Sequence, residues 1–327
     1  MYKLIFSFYE KKHYNPLNME QIKEYLTINN VRHVLAHIEG TSSIALLFVH
    51  GGPGEPNRHK IEKKLIDLRK HFQIFAYDER GSLDSCPKNY KDIDYSPKIF
   101  ASDLIEIASY IKKKYNYEIV LIGESWGSFI SSLAISSRPD LFKAYIGYGQ
   151  LYSIKETIKW QKEAMENKFI DKPLLLKKLN SVKYDEDGYF LTQEDSAVFH
   201  SLLYPHFEPK SYKNFYLREI KPLLDAPCYE KEGKRLYMKS RIVSSMKSIG
   251  EHEKEIELPN KPKYEIPYFI FQGKKDFITP YEIALKHFQN IEAPKKEFIT
   301  FERSFHLPAF DENRKFMNEV IRVIKDL

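Results

Sequence analysis

The segment Gly123-Glu124-Ser125-Trp126-Gly127 constrains the fold of this chain most, because an apolar run leads into it and a helical pattern leads out of it. The run is Ile119-Val120-Leu121-Ile122, and the helical pattern covers residues 128–137. A G-x-S-x-G sequence in this setting is typical of a nucleophile elbow, a strained turn that exposes the serine hydroxyl. The alternative interpretation is a glycine-rich turn with an inert serine.

Strand-like and helix-like stretches alternate on both sides of this turn. Apolar runs alternate with amphipathic stretches at residues 45–49, 59–70, 74–76, 97–116, 119–122, 127–137 and 144–146. This alternation predicts an α/β fold with a largely parallel sheet and helices on both of its faces. Before the first run, residues 23–28 and 31–39 flank Asn29-Asn30 and predict a β-hairpin. Residues 1–20 are irregular and indicate at most an edge strand.

The pattern changes after residue 150. Lys/Glu-rich helical periodicity without strand runs continues to about residue 262. A buried strand at 266–271, a strand at 297–301 and a helix at 311–325 follow. We therefore expect three parts, which are the first part of an α/β core at residues 1–150, a helical insertion at 151–262 and the second part of the core at 263–327.

The composition fits a folded globular protein and excludes several other classes. The chain has 327 residues, of which 43% are hydrophobic, and this is enough for a sizeable buried core. Its longest strongly apolar stretch is residues 44–49, far short of the roughly 20 residues that span a bilayer. No transmembrane helix, secretory signal or membrane partner is therefore expected.

The cysteines and the net charge limit the cellular location and the binding partners that are expected. Cys86 and Cys228 lie far apart with no Cys/His cluster, so neither a disulfide framework nor a metal site is expected. A reducing, cytoplasmic location is the simplest interpretation. The net charge is +6, but the basic residues are scattered among nearly as many acids, so nucleic-acid binding is not expected.

A serine nucleophile needs a base, and the base needs an acid that orients it. Asp276 follows the strand that ends at Phe271, and His306 follows the strand that ends at Phe301. Each residue taken alone could be an ordinary loop residue. The order Ser, Asp, His on loops after successive strands nevertheless favours Ser125, Asp276 and His306 as a catalytic set.

Two competing residues fit this order less well. Asp311 comes after His306 in the sequence, and His287 lies inside an amphipathic stretch, residues 281–290. Neither has the expected place on a loop in the order Ser, Asp, His.

The turn His50-Gly51-Gly52-Pro53-Gly54 follows another strand and can bring a backbone N–H close to a substrate. We expect the oxyanion donors to be the N–H of Gly52 and the N–H of Trp126, which follows the serine at the start of a helix. A phosphate-binding loop is the rival interpretation, but neither a Gly-Lys-Ser/Thr ending nor G-x-G-x-x-G is present. His50 is expected to brace the turn and not to act as a base.

Several motifs together carry a resemblance to a known family. They are His50-Gly51-Gly52-Pro53-Gly54, Tyr77-Asp78-Glu79-Arg80-Gly81, Gly123-Glu124-Ser125-Trp126-Gly127-Ser128, Gly147-Tyr148-Gly149-Gln150, Gly273-Lys274-Lys275-Asp276 with Thr279-Pro280, and His306. With them the chain resembles an α/β-hydrolase of the proline iminopeptidase type over about residues 28–150 and 263–327. The resemblance implies Ser125, Asp276 and His306 as the triad, 151–262 as a helical cap over the active site, and a bracing role for Asp78 and Arg80.

The chain departs from this family at two positions. Glu124 stands where the family usually has a small residue, and Phe305 stands where it usually has glycine. Charge alone suggests that Glu124 pairs with Arg80 or with a cation of the cap. The family recognises a free N-terminal amine through cap acids, and this cap offers Glu156, Glu163, Glu166, Asp185, Glu186, Asp187, Glu194, Asp195 and Glu208. The sequence does not distinguish among these acids.

The expected function is therefore a serine hydrolase that works through an acyl-enzyme, acting first as an aminopeptidase on short peptides. An esterase or another small acyl hydrolase is the alternative within that class. A non-catalytic protein that uses the capped cavity to bind a ligand is the alternative outside it. No metal or organic cofactor is implied, the partner is a small molecule or short peptide, and the oligomeric state is left open.

Overall fold

The computed structural model describes residues 21–209 and 213–327. These residues include one sheet of eight strands. Its strands are β1 Ile22–Ile28, β2 Val31–Ile38, β3 Ile44–Val49, β4 Gln73–Asp78, β5 Glu118–Glu124, β6 Phe142–Tyr148, β7 Tyr268–Gly273 and β8 Lys296–Phe301. The order across the sheet is β1-β2-β4-β3-β5-β6-β7-β8. The edge strand suggested for residues 1–20 lies outside the described residues.

Helices connect most of these strands. The α-helices of the described residues are α1 Arg58–Lys64, α2 Pro97–Tyr115, α3 Trp126–Ser137, α4 Ile154–Lys168, α5 Pro173–Leu179, α6 Gln193–Phe207, α7 Lys221–Asp225, α8 Lys231–Ser245, α9 Tyr281–Asn290, α10 Pro308–Asp311 and α11 Asn313–Lys325. Within this part of the chain, no helix combines the length and apolar character that crossing a bilayer requires.

The predicted hairpin is confirmed at one edge of the sheet. Strands β1 and β2 pair antiparallel, with Ile28 opposite Val31. The two turn residues Asn29 and Asn30 have φ angles of 47° and 62°, which asparagine adopts more readily than most residues. Strand β2 also pairs antiparallel with β4, and every other pair in the sheet is parallel. The carboxyl ends of β3, β5, β6, β7 and β8 therefore meet at one edge.

Both faces of the sheet are covered, so the parallel strands are apolar on both sides. In β5, Leu121 packs into the hydrophobic core with α2 and α3, while Val120 and Ile122 pack on the opposite face. Side chains of α11, including Phe316 and Val320, cover that second face. The predicted α/β fold with a mostly parallel sheet is confirmed.

Between β6 and β7 the described chain contributes helices and no strand to the sheet. This helical segment, residues 151–262, has a small apolar core of its own around Met165, Phe169 and Phe199. The division into a two-part core and an insertion stays a prediction.

The predicted final helix begins later than expected. Glu312 leaves the helical conformation, with φ −124° and ψ 50°, and separates α10 from α11. Its carboxylate accepts hydrogen bonds from the Ser304 hydroxyl and the Arg303 N–H, which ties this break to the loop before His306.

Candidate active site

Ser125 lies on the sharp turn between β5 and α3. Its φ of 50° and ψ of −117° are strained for a residue with a side chain, and its N–H donates to the Tyr148 carbonyl at 2.9 Å. The flanking glycines are required by space. A Cβ on Gly123 would lie 2.7 Å from the Ser128 Cα, and one on Gly127 would lie 2.4 Å from the Val49 carbonyl oxygen. This geometry is that of the elbow that the sequence predicts.

The other two residues of the predicted catalytic set meet Ser125 at the carboxyl edge of the sheet. His306 Nε2 lies 2.9 Å from the Ser125 Oγ, and His306 Nδ1 lies 3.0 Å from the Asp276 Oδ2. The structure thus brings together three residues that lie far apart in the sequence. Neither competitor takes part in these contacts, since His287 is buried and stacked on Tyr152.

Asp276 is held in place from several sides. Its Oδ1 accepts hydrogen bonds from the N–H groups of Ile278 and Thr279, at 2.9 and 3.0 Å. Its Oδ2 accepts from the Thr279 hydroxyl and the Gln272 amide, at 2.9 and 2.8 Å, besides facing His306. Donors of this kind compensate a buried carboxylate and fix its orientation. The supporting role of Gln272, at the end of β7, is one that the sequence interpretation missed.

The turn after β3 lies directly beside the serine. A Cβ on Gly51 would be 3.2 Å from the Ser125 Cβ, and Gly52 has a φ of 118°, which glycine alone adopts readily. Trp126 opens α3, where a backbone N–H has no acceptor within the helix. The two expected oxyanion donors, Gly52 and Trp126, therefore belong to the two backbone segments that adjoin Ser125.

Buried contacts brace this turn from behind. His50 Nε2 accepts a hydrogen bond from the Glu79 N–H at 3.0 Å, which links the turn to the end of β4. Burial lowers the pKa of His50 to about 4, so the ring is neutral near pH 7. Asp78 receives two hydrogen bonds from Arg58 of α1, at 2.7 and 2.8 Å. These are the bracing contacts that the sequence predicts for His50 and Asp78.

The predicted partner of Glu124 is wrong. Arg80 pairs with Asp103 of α2 instead, at 2.6 and 2.8 Å. The nearby cation belongs to Lys60 of α1 and not to the helical segment. Arg80 also donates to the Asp94 carbonyl at 3.0 Å, so each of its three guanidinium nitrogens already has an acceptor.

Glu124 is instead held by two neutral donors. Its Oε2 accepts hydrogen bonds from the Asn57 amide at 2.7 Å and the Tyr148 hydroxyl at 2.5 Å. Burial raises the pKa of Glu124, and Lys60 and these two donors counteract part of that increase.

Three carboxylates raise the pKa of His306. Burial alone would lower the pKa of His306, but Asp276, Glu208 and Glu124 outweigh it and raise this pKa to about 9. The charge of His306 in turn acts on Glu55, which directly follows the glycine-rich turn. Burial alone would raise the pKa of Glu55, but the nearby Arg241 outweighs burial, and the pKa is lowered. The region around the Ser125–His306 pair is therefore rich in negative charge.

Glu208 belongs to the helical segment, and its charge raises the pKa of His306. It follows α6 and is 1% exposed. Of the nine acids that the sequence offers, the other eight are half-buried or exposed. No sequence pattern separates Glu208 from them, because its burial depends on how α6 packs.

Two ion pairs join the helical segment to the core beside the site. Arg241 of α8 donates from Nε to the Glu55 Oε1 at 2.8 Å, and Lys60 of α1 pairs with Glu219. Gly54 also packs on α8, since a Cβ there would lie 3.2 Å from the Ser244 Cβ. The sequence interpretation missed Glu55 and Lys60, although both follow closely on the glycine-rich turn.

Comparison with known proteins agrees with this fold. A family model described as the alpha/beta hydrolase fold matches residues 44–313. The chain belongs to this α/β-hydrolase family. It is 26% identical over 309 residues to the probable aminopeptidase YbaC of Bacillus subtilis strain 168, covering 92% of this chain and 95% of that relative.

A second relative and a solved structure are also similar to this chain. The chain is 21% identical to a proline iminopeptidase of Lactobacillus delbrueckii subsp. bulgaricus, covering 91% of this chain and 96% of that protein. The solved structure of a proline iminopeptidase from Mycobacterium smegmatis superposes with a TM-score of 0.60 at 12% identity, covering 93% and 98% of the two chains. The structural similarity shows the shared fold.

Proposed function

We propose that this protein is a serine hydrolase in which Ser125 is the nucleophile, His306 the general base and Asp276 the acid that orients His306. The observation that carries this proposal is the unbroken hydrogen-bond chain from the Ser125 Oγ through His306 to Asp276. A binding protein would not need a strained serine placed within hydrogen-bond distance of a histidine.

The reaction follows from this arrangement. The Ser125 Oγ forms a bond to the substrate carbonyl carbon while its proton passes to His306 Nε2, and the carbonyl electron pair moves onto the oxygen. The tetrahedral intermediate then expels the leaving group, which takes the proton from His306. Water attacks the acyl-enzyme with His306 again as base, and the acid product leaves Ser125 free.

We assign the oxyanion donors to the backbone N–H groups of Gly52 and Trp126. Gly51 lies against Ser125, so the turn is close enough to approach an acyl group bound to the serine. Trp126 adds the positive end of the α3 dipole to its N–H. Backbone donors of this kind need no reorganisation when the negative charge develops.

We further propose that the protein is an aminopeptidase of the proline iminopeptidase type that acts on short peptides. A substrate with a free amine carries a positive charge into a partly desolvated pocket, which is costly without a carboxylate partner. Glu208 is buried and acts electrostatically on His306, so it is our choice for that partner. The aminopeptidase and proline iminopeptidase relatives support the same substrate class.

In this proposal residues 151–262 act as a cap that closes over the site. The Arg241–Glu55 and Lys60–Glu219 pairs support this role, because they tie the helical segment to the turn beside Ser125. A closed roof would exclude long chains and favour short peptides or small molecules. A cytoplasmic location remains part of the proposal.

An esterase is the second candidate, and one observation favours it. Phe277, which follows Asp276, contacts Trp160 and Phe207 of the helical segment, with ring centroids 5.5 and 4.7 Å apart. Aromatic side chains beside the triad would bind an apolar acyl group, and this binding does not require a charged amine.

Matched substrates separate the two candidates. We would measure kcat/KM for a panel of aminoacyl chromogenic amides, each with a free and an acetylated amine, beside simple acyl esters. The aminopeptidase proposal predicts that acetylation lowers kcat/KM about tenfold or more, through loss of one charged pair. Equal cleavage of free and acetylated amides, or cleavage of esters alone, would replace it with the esterase.

A further inference from the structure

Glu124 is a buried carboxylate next to the serine that the proposed reaction does not use. It is 5% exposed and occupies the last position of β5. Its Oε1 lies against the glycine-rich turn, because a Cβ on Gly51 would be 3.0 Å from it and 3.2 Å from the Ser125 Cβ. The Glu124 carboxylate and the Ser125 side chain therefore both lie close to Gly51.

Two hydrogen-bond donors and one cation compensate part of the cost of burying a charged Glu124. An ionised carboxylate only accepts hydrogen bonds, and the Oε2 of Glu124 receives two, from Asn57 and Tyr148. Lys60 supplies the nearby positive charge. Tyr148 is fully buried and sits on the neighbouring strand β6, so this arrangement belongs to the rigid core.

We propose that Glu124 is a positioning residue whose carboxylate stabilises the positive charge that His306 acquires when it accepts the Ser125 proton. It makes no direct contact in this role. In a low-dielectric site a fixed charge acts over several ångströms, and a preorganised one costs nothing at the moment of reaction. Asp276 orients the ring, and Glu124 adds negative charge from the serine side.

Other charged groups also surround Glu124 and His306. Asp276, Glu208, Glu55 and Asp311 also act on His306, from four different parts of the chain. Lys60 and the hydroxyl of Tyr148 face Glu124. The charge of Glu124 contributes to the raised pKa of His306, and removing it should therefore lower that pKa.

The proposal rests on Ser125 and His306 acting as nucleophile and base, and not on the identity of the substrate. The probe is therefore a serine-directed fluorophosphonate, whose second-order rate of labelling of Ser125 is measured from about pH 6 to about pH 10. The variant is Glu124→Gln, which removes the charge while an amide oxygen remains to accept from Asn57 and Tyr148. Glu118→Gln is the matched control, because Glu118 lies exposed at the opposite end of the same strand.

We expect the acid limb of the labelling profile to move to lower pH by about half a unit or more in Glu124→Gln, and to stay in place in Glu118→Gln. A structural role alone would lower the rate at every pH and leave the limb where it is. A limb that does not move in folded Glu124→Gln would overturn the proposal. Absence of labelling in the wild-type protein would instead contradict the proposed serine hydrolase.

A second pair of variants keeps the proposal testable if Glu124→Gln does not fold. Glu124→Asp keeps the charge and should keep the limb close to its wild-type pH. Lys60→Met removes the cation that faces Glu124 and should move the limb to higher pH, the direction opposite to Glu124→Gln. A limb that moves down or stays in place in Lys60→Met would contradict the proposal.

Discussion

The sheet edge and the helical segment contribute to the site in different ways. Ser125, Asp276 and His306 each follow a strand of the sheet, so the parallel topology places them together. Glu208 follows a helix in residues 151–262, is buried and acts electrostatically on His306. Strand topology therefore places the first three residues, whereas the position of Glu208 depends on how the helical segment packs, and we propose that this segment adds the selectivity.

The largest effect is expected from the serine. Ser125→Ala should lower kcat on the best substrate by about 10⁴ or more, because no other hydroxyl in the site replaces the nucleophile. The free energy of unfolding should change little. Fluorophosphonate labelling provides the control, since it should mark Ser125 alone and should disappear in His306→Ala. Activity that persists in folded Ser125→Ala would contradict the assignment of the sheet edge.

The pH dependence of the reaction tests the charge around His306. The base must be neutral to accept a proton, and the raised pKa of about 9 leaves it mostly protonated at pH 7. For an acetylated amide or an ester, which has no amine that titrates in this range, kcat/KM should therefore rise about tenfold per pH unit from pH 7 and level off near pH 9. A limb near the ordinary histidine pKa of about 6.5 would mean that the carboxylates do not act as described.

A pair of glycine variants compares packing in the two regions. Gly127→Ala places a Cβ 2.4 Å from the Val49 carbonyl oxygen and should lower the free energy of unfolding by about 1–3 kcal/mol. Gly250→Ala, in the helical segment, places its Cβ 3.6 Å from the nearest atom, the Gln193 amide nitrogen. It should change stability by no more than about 1 kcal/mol. Equal losses in denaturant unfolding would show that the elbow is no tighter than the helical layer.

The sequence predicted the sheet edge well for a physical reason. Residues at the carboxyl ends of parallel strands meet whatever lies between them, so strand order alone brought Asp276 and His306 to Ser125. The hairpin around Asn29 and Asn30 was predicted for a similar reason, since its turn signal is local.

Contacts between layers were less accessible from the sequence. Charge alone paired Glu124 with Arg80, but Arg80 pairs with Asp103. Glu124 is held instead by two neutral donors, Asn57, which directly precedes α1, and Tyr148 of β6. The burial of Glu208 likewise depends on the docking of α6 and not on a local pattern. Sequence periodicity gives the buried face of a helix, but not the residue that it will meet.

The division between chemistry at the sheet edge and selection by the helical segment is tested most directly with Glu208→Gln. The measurement is the ratio of kcat/KM for a free and an acetylated aminoacyl amide at about pH 7, where the free amine is charged and the protonation of His306 affects both substrates alike. Glu186→Gln, an exposed acid of the same segment, is the control. We predict a wild-type ratio of about ten or more, a ratio near one in Glu208→Gln and the wild-type ratio in Glu186→Gln. A folded Glu208→Gln that keeps the wild-type preference for the free amine would contradict this account.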